Sequence, residues 1–331
     1  MLIPCLLFLL GLVFLIKGGD WFVDGATGIA HRFHLPEILI GATVVSIGTT
    51  LPEVMVSATS ALGGHGEIAY GNAIGSIICN TALIAAITMA VSPGTVDRTT
   101  FKTPVIFFFC AAAFYMATAY TTGYFSRATG LILLAVFLIY MVYTVIQMKH
   151  APQANVPSAE TASENSSADS QPKENSMAKD IFLLILGAVL IAIGANLLVD
   201  NGTLIAQALG VPESVIALTF VALGTSLPEL VTAITSLIKG HGALSLGNVI
   251  GANLFNLVLV SGVSAALAPF EIPQNATISG MNASLVLDLP VMLFVMAFLT
   301  IPALVRGKLS RIQGIVLLIV YAGFCIVQFT L

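Results

Sequence analysis

Charge is scarce in this chain. Asp, Glu, Lys and Arg make up 8% of its 331 residues, and only 12 residues are basic. No stretch gathers those basic residues into a patch, which argues against a nucleic-acid surface. Cysteine is scarce too. Cys5, Cys79, Cys110 and Cys325 are scattered through apolar runs. That spacing makes neither a metal-binding motif nor a disulfide framework, and it predicts buried free thiols. The apolar N-terminus, Met1 to Ile16, has no basic segment before it and no small-residue cleavage site after it; Lys17-Gly18-Gly19-Asp20 follows instead. It reads as a retained first span, not a cleaved signal.

What is abundant is apolar surface. A hydrophobic content of 57% and a mean hydropathy of +1.00 exceed what a soluble domain of this length could bury. The chain therefore reads as an integral membrane protein. At about 20 apolar residues per crossing, ten spans are expected, at roughly 2–31, 36–63, 67–92, 103–122, 126–148, 180–209, 212–238, 243–268, 284–304 and 310–330. The segment 149–179 is rich in Ser, Ala, Asn, Glu and Pro and reads as a disordered polar tether. It divides the chain into halves, 1–148 and 180–331.

The halves repeat each other. Gly48-Thr49-Thr50-Leu51-Pro52-Glu53 returns as Gly224-Thr225-Ser226-Leu227-Pro228-Glu229, and 229 minus 53 gives an offset of 176. The same offset aligns Val23-Asp24 with Val199-Asp200, Pro36-Glu37 with Pro212-Glu213, and Gly64-His65-Gly66 with Gly240-His241-Gly242. It also aligns Gly71-Asn72 with Gly247-Asn248, Gly75 with Gly251, and Asn80 with Asn256. Five spans per half is an odd number, so the second half is expected to cross the membrane upside-down. One side receives Arg32, Arg98, Lys102, Lys149, Lys173, Lys179, Lys239, Arg306, Lys308 and Arg311. The other receives Arg127, while Lys17 lies inside the first span. This bias places segment 149–179 in the cytoplasm and both termini outside.

Each copy of the motif puts a carboxylate inside an apolar run, where an ionisable group is costly and marks function by default. Pro52 and Pro228 lack an N–H and crowd the carbonyls of Gly48 and Gly224, so both helices should break beside their Glu. Broken helices at membrane depth need protein or water to cover the freed backbone, and transporters build ion sites on them. Two carboxylates match the charge of a bare Ca²⁺, which takes about 6–8 oxygens. Carbonyls around Ser46 to Thr49 and Ala222 to Thr225 are hard-oxygen donors. So are the hydroxyls of Thr49, Thr50, Thr225 and Ser226 and the amides of Asn80 and Asn256. No His or Cys accompanies the pair in these segments, which disfavours zinc or copper. His65 and His241 read as interfacial loop residues. Glu37 and Glu213 complement helix dipoles, and Asp24 and Asp200 fall near span ends. Gly71, Gly75, Gly247 and Gly251 permit close helix packing. Asn72 and Asn248 are open to packing hydrogen bonds.

The pattern G-T-[ST]-L-P-E followed by G-N-x-x-G-[SA]-x-x-x-N, present twice and in order, resembles the α-repeats of the sodium/calcium exchanger family, within the cation/calcium exchanger superfamily. The resemblance implies an all-α membrane protein of ten transmembrane helices. These form two inverted-topology five-helix repeats with broken helices at the ion site. It implies a microbial antiporter of Ca²⁺ against Na⁺ in a plasma or inner membrane, working by alternating access, with no cofactor and no obligate protein partner. It assigns ion ligation to Glu53, Glu229, Thr49, Thr50, Thr225 and Ser226, to the carbonyls of Ser46 and Ala222, and to Ser76, Asn80 and Asn256. Two positions depart from the pattern. Ala252 stands where Ser76 has its counterpart, and Asn256 stands where potassium-dependent members carry Asp, which argues against potassium cotransport. Segment 149–179 is too short for the regulatory calcium-binding domains of animal exchangers.

The runner-up is a Ca²⁺/H⁺ antiporter, because buried carboxylates also take protons. An intramembrane protease built on paired acids fits the Pro-broken, hydroxyl-rich frame less well. A passive channel fits the inverted repeat less well than alternating access does.

Overall fold

The structure is a computed structural model that describes residues 2–150, 176–208, 224, 226–274 and 277–330. Most of segment 149–179 and the first half of the expected span 212–238 lie outside the described residues. Among the described residues, ten helices follow one another: α1 Leu2–Arg32, α2 Glu37–Leu62, α3 Gly66–Val91, α4 Arg98–Thr121 and α5 Arg127–His150, then α6 Met177–Ala208, α7 Leu227–Ile238, α8 Gly242–Leu267, α9 Ser284–Arg306 and α10 Arg311–Thr330. Among the described residues, nine of these are long and apolar enough to cross a membrane, and α7 is a shorter apolar helix of 12 residues. Four two-residue strands tie loops together: Tyr124–Phe125 pairs with Phe270–Glu271, and Thr277–Ile278 pairs with Met281–Asn282.

The repeat seen in the sequence reappears in the element boundaries. The first residues of α3 and α8, Gly66 and Gly242, differ by 176, as do their last residues, Val91 and Leu267. Both helices turn π-helical at the corresponding asparagine, over Asn80–Ala85 and Asn256–Val260.

Burial separates centre from rim. In α8, 83% of the apolar stretch is buried, against 22% in α1 and 17% in α10. Lipid solvates Leu, Ile and Val as well as a core does, so rim helices keep apolar residues on their outer faces. This corrects the expectation for the cysteines. All four are free, but Cys5 and Cys110 are exposed, Cys325 is half-buried, and Cys79 alone is buried. An apolar run in a membrane chain does not imply a buried run.

Helices α1 and α6 pack along their lengths through glycines spaced seven apart. A Cβ on Gly11 would meet Gly194, one on Gly18 would meet Gly187, and one on Gly25 would meet Asp180 and Leu184. Residue numbers rise along α1 as they fall along α6, so the two helices run antiparallel. The contact is also reciprocal. Gly187 is the 176-offset mate of Gly11, and Gly194 is the mate of Gly18, so each glycine packs on the other's mate. Reciprocal contacts of this kind are what a two-fold relationship produces.

The breaks expected beside the two glutamates differ between the copies. In the first, the helix runs through Pro52, and the irregular turn lies upstream, a π-helical stretch at Gly41–Val45. That wide turn loosens backbone carbonyls, and side chains take them up. Ser46 Oγ donates to the Gly41 carbonyl over 2.7 Å, and Tyr140 Oη donates to the Ala42 carbonyl over 3.0 Å. Gly48, whose carbonyl Pro52 cannot serve, has no Cβ to crowd the ring of Phe22. In the second copy the described helix starts at Leu227, with Pro228 in its first turn, where the missing N–H costs nothing.

Candidate ion-binding site

The two motif helices meet at the centre, where α2 packs against α7. Each also packs against the π turn of the other half: α2 against Asn256–Val260, and α7 against Asn80–Ala85. This crosswise packing sets the helix that carries Glu53 against the turn that starts at Asn256, and the helix that carries Glu229 against the turn that starts at Asn80. The Glu229 carboxylate faces the hydroxyls of Thr49 and Thr50 on α2, and Glu53 lies close enough to Glu229 for direct repulsion. Glu229 sits in the first turn of α7, where the helix dipole favours an anion.

Every described residue of the expected set is buried: Ser46, Thr49, Thr50, Glu53, Ser76, Asn80, Ser226, Glu229 and Asn256. Ala222 and Thr225, the other two, lie outside the described residues. Among the described residues, no hydrogen bond closes on either carboxylate oxygen of Glu53 or of Glu229, although the Thr49 and Thr50 hydroxyls face Glu229. Nor, among those residues, does a hydrogen bond close on the Thr50 hydroxyl or on either amide atom of Asn80 or of Asn256. A buried charge left unpaired costs several kcal/mol. Such a set of inward oxygens therefore calls for cations or protons.

Ser46 enters differently from expectation. Its hydroxyl is engaged in structure, donating to the Gly41 carbonyl and, over 3.0 Å, to the Asn248 carbonyl. Its own carbonyl, the expected ligand atom, accepts from Thr49 Oγ1 at 3.4 Å. Asn248 is the residue whose part the motif reading left open. Its side-chain oxygen accepts from Thr49 Oγ1 at 3.1 Å, while its mate Asn72 donates to Ser57 Oγ at 2.8 Å and to the Glu53 carbonyl at 3.3 Å. Ser57 has Ala233 as its 176-offset mate. That missing hydroxyl frees Asn248 from its own half and was readable as a flaw in the repeat. Cys79, expected only as a buried free thiol, also stands at the edge of the site, where its thiol faces Ser226 and Tyr321.

The packing glycines behave as expected in the second half, where Gly247 lies against Ile38 and Gly251 against Ala42 and Ser46. Gly71 and Gly75 have no described atom against the Cβ position. Glu37 sits in the first turn of α2, as its dipole role requires, and also pairs with His241 at 2.8 Å. Asp24 accepts from Lys239 Nζ at 2.7 Å, tying the end of α7 to α1. Glu213 lies outside the described residues.

No third acidic, His or Cys side chain joins the glutamates in a metal-binding group among the described residues. The remaining donors are hydroxyl, amide and carbonyl oxygens, a hard set suited to Ca²⁺ or Na⁺. The site is closed, with both glutamates at 0% exposure. A small gap of about 10 Å³ lies beside it, lined by Phe22, Thr49, Pro52 and Pro228. A larger cavity of about 140 Å³ lies elsewhere, between the α3–α4 loop and the first turn of α8.

A family model described as "Sodium/calcium exchanger protein" matches residues 3–146 and 179–330, nearly the whole chain. The chain belongs to the sodium/calcium exchanger family. Sodium/calcium exchanger MaX1 of Methanosarcina acetivorans is 31% identical over 351 residues, covering 98% of both chains. Inner membrane protein YrbG of Escherichia coli is 33% identical over 276 residues, covering 83% of both. Among solved structures, the sodium-calcium exchanger NCX_Mj, soaked with 2.5 mM Na⁺ and 10 mM Sr²⁺, superposes with a TM-score of 0.80 at 32% identity. The match covers 97% of each chain. The chain is thus an all-helical membrane exchanger with the fold of that protein.

Proposed function

We propose that this exchanger carries Ca²⁺ in one direction and Na⁺ in the other, using one closed site that opens to either face in turn. The observation that carries the reading is the pair of fully buried carboxylates, one from each half, with no hydrogen bond closed on any of their four oxygens among the described residues. A bare Ca²⁺ balances their charge, and so do monovalent cations taken up in its place. Both cannot occupy the same oxygens, and that exclusion is the basis of exchange. Glu53, Glu229, Thr49, Thr50, Ser226, Ser76, Asn80, Asn256 and the Ser46 carbonyl would supply ligands. The motif adds the Ala222 carbonyl and Thr225. Ala252 supplies no hydroxyl, so the set is unequal between the halves. The transported ions are substrates, and the chemistry calls for no resident cofactor.

Alternating access needs two equivalent conformations of opposite sense, which an inverted repeat provides. We infer that residues 1–148 and 180–331 are such repeats, joined by the tether 149–179. The antiparallel, reciprocal packing of α1 on α6 supports this, as do the matched π turns of α3 and α8. Among the described residues the π turn of α2 stands in for the sharp break expected at Pro52. The bias of basic residues supports a cytoplasmic tether with both termini outside. The relative YrbG, an inner membrane protein, supports a plasma or inner membrane location.

The test is ⁴⁵Ca²⁺ uptake into proteoliposomes loaded with Na⁺, against liposomes with an outward proton gradient and no Na⁺. Uptake driven by Na⁺ alone is expected. Uptake driven by the proton gradient alone would replace this reading with Ca²⁺/H⁺ antiport.

A further inference from the structure

The sequence shows no basic run, yet the fold builds a basic platform at one end of the helices. The α3–α4 loop and the α9–α10 loop are joined by a short backbone ladder. Val96 N donates to the Gly307 carbonyl over 2.9 Å, Leu309 N donates to the Gly94 carbonyl over 2.9 Å, and Thr95 bridges to Lys308 between them. Gly307 makes the turn possible, with a left-handed φ of 67° at the end of α9.

This ladder holds together cations from three helix ends and from the ladder itself. Arg98 starts α4, and Lys102 follows one turn later on the same face. Arg306 ends α9, Lys308 lies in the ladder, and Arg311 starts α10. All five are exposed. Among the described residues, none of them is in an ion pair. Arg311 reaches only the Val91 carbonyl, at 3.5 Å. Arg98 lies over the backbone of Gly307. The acid within the cluster is Asp97, and its carboxylate is taken up by the backbone N–H and hydroxyl of Thr99 and the hydroxyl of Thr100. Exposed apolar side chains, Val91, Val305 and Ile312, stand at the same helix ends. The result is a fixed cationic shelf bordered by apolar surface.

We propose that this platform is a binding site for the headgroup of an anionic phospholipid, with the acyl chains lying along α3, α9 and α10. A positive-inside bias alone would need only cations in loops. It would not need them fixed by a ladder between two loops, without ion-pair partners and beside apolar side chains. Basic residues near a membrane surface each contribute about a five-fold preference for anionic lipid. Three of them together should give a preference on the order of a hundred-fold.

The experiment uses the full-length protein in detergent micelles, with native mass spectrometry to count bound phosphatidylglycerol against phosphatidylcholine. Retention of phosphatidylglycerol far above phosphatidylcholine is expected. In the variant R98Q/K308Q/R311Q the preference should fall on the order of a hundred-fold, while R98K/R311K should keep most of it. The unaltered protein supplies a second readout that no folding defect can spoil. Its preference, measured by fluorescent-lipid binding, should collapse as salt rises to about 1 M, where the screening length is about 3 Å. Equal retention of the two lipids, or a preference unmoved by salt, would overturn the proposal. So would full displacement of the lipid by inorganic phosphate at about millimolar concentration, because the site would then recognise free phosphate and not a lipid.

Discussion

Thr49 Oγ1 donates to the side-chain oxygen of Asn248 across 3.1 Å, and this bond joins the first motif helix to the third helix of the other half. The same asparagine takes the Ser46 hydroxyl on its carbonyl. Two residues of the expected ion site are thus held in place from across the repeat boundary.

Replacing Asn248 by Ala should leave the Thr49 hydroxyl without its side-chain acceptor, while the backbone carbonyl that takes the Ser46 hydroxyl stays in place. A lost hydrogen bond of this kind is worth about 1 kcal/mol, so calcium affinity should fall roughly five-fold. Titrating ⁴⁵Ca²⁺ binding to the purified variant measures it. Unchanged affinity would make Asn248 a packing residue only.

Glycine contacts give a contrast in stability. A Cβ on Gly251 would press into Ser46 and Ala42, whereas one on Gly323 of α10 meets no described atom. Gly251→Ala should destabilise by about 1–3 kcal/mol through overpacking. Gly323→Ala should be neutral or slightly stabilising, because it restricts the unfolded chain. Thermal melting in detergent separates the two, and equal shifts would contradict the packing described here.

The pair of His241 and Glu37 links the start of α8 to the start of α2 at 2.8 Å. The hydrogen bond to Glu37 raises the pKa of His241. Partial burial opposes that rise, the charges of Glu37 and Asp24 add to it, and Lys239 subtracts from it. A raised folded-state value means the contribution to stability is complete below the unfolded value of about 6.5 and is lost as pH climbs through the folded one. The melting temperature should therefore drop more between about pH 6 and about pH 9 in the unaltered protein than in His241→Gln. Parallel profiles would remove the pair from the stability account.

Much of this was legible in the residues. The 176 offset foretold where α3 and α8 begin and end, because both copies carry the same Gly-His-Gly signal before the helix. The pairing of buried carboxylates was legible because Glu53 and Glu229 have no other reason to stand in apolar runs. The π turn at Gly41–Val45 was not, since a proline advertises a break while a π turn has no comparable residue signature. Nor was the α1–α6 contact read, although Gly11, Gly18, Gly187 and Gly194 displayed it at seven-residue spacing. The basic platform was invisible for a different reason: its residues lie about 200 positions apart in the chain and meet only through a loop-to-loop ladder.

Asn256 is buried, and among the described residues neither of its amide atoms has a hydrogen-bond partner. An amide adds no charge to the two glutamates, and among the described residues no third carboxylate joins them to hold an extra monovalent ion. Calcium flux driven by Na⁺ should be unchanged when choline replaces potassium on both sides of the membrane. Collapse of the flux without potassium would mean that other residues build a potassium site.

The central claim is that Glu53 and Glu229 jointly hold the exchanged ions. At about 4 Å and an effective dielectric constant near 20, one unit charge facing another is worth roughly 4 kcal/mol, and twice that facing a divalent ion. Removing either carboxylate charge should cost far more than the loss of any hydroxyl. The direct measurement is equilibrium ⁴⁵Ca²⁺ binding to the purified protein and to Glu53→Gln and Glu229→Gln, each with and without competing Na⁺. The account predicts binding that Na⁺ displaces in the unaltered protein, and a loss of at least about a hundred-fold in affinity in each variant, with folding intact by melting. Calcium binding of unaltered strength in either folded variant, still displaced by Na⁺, would contradict it.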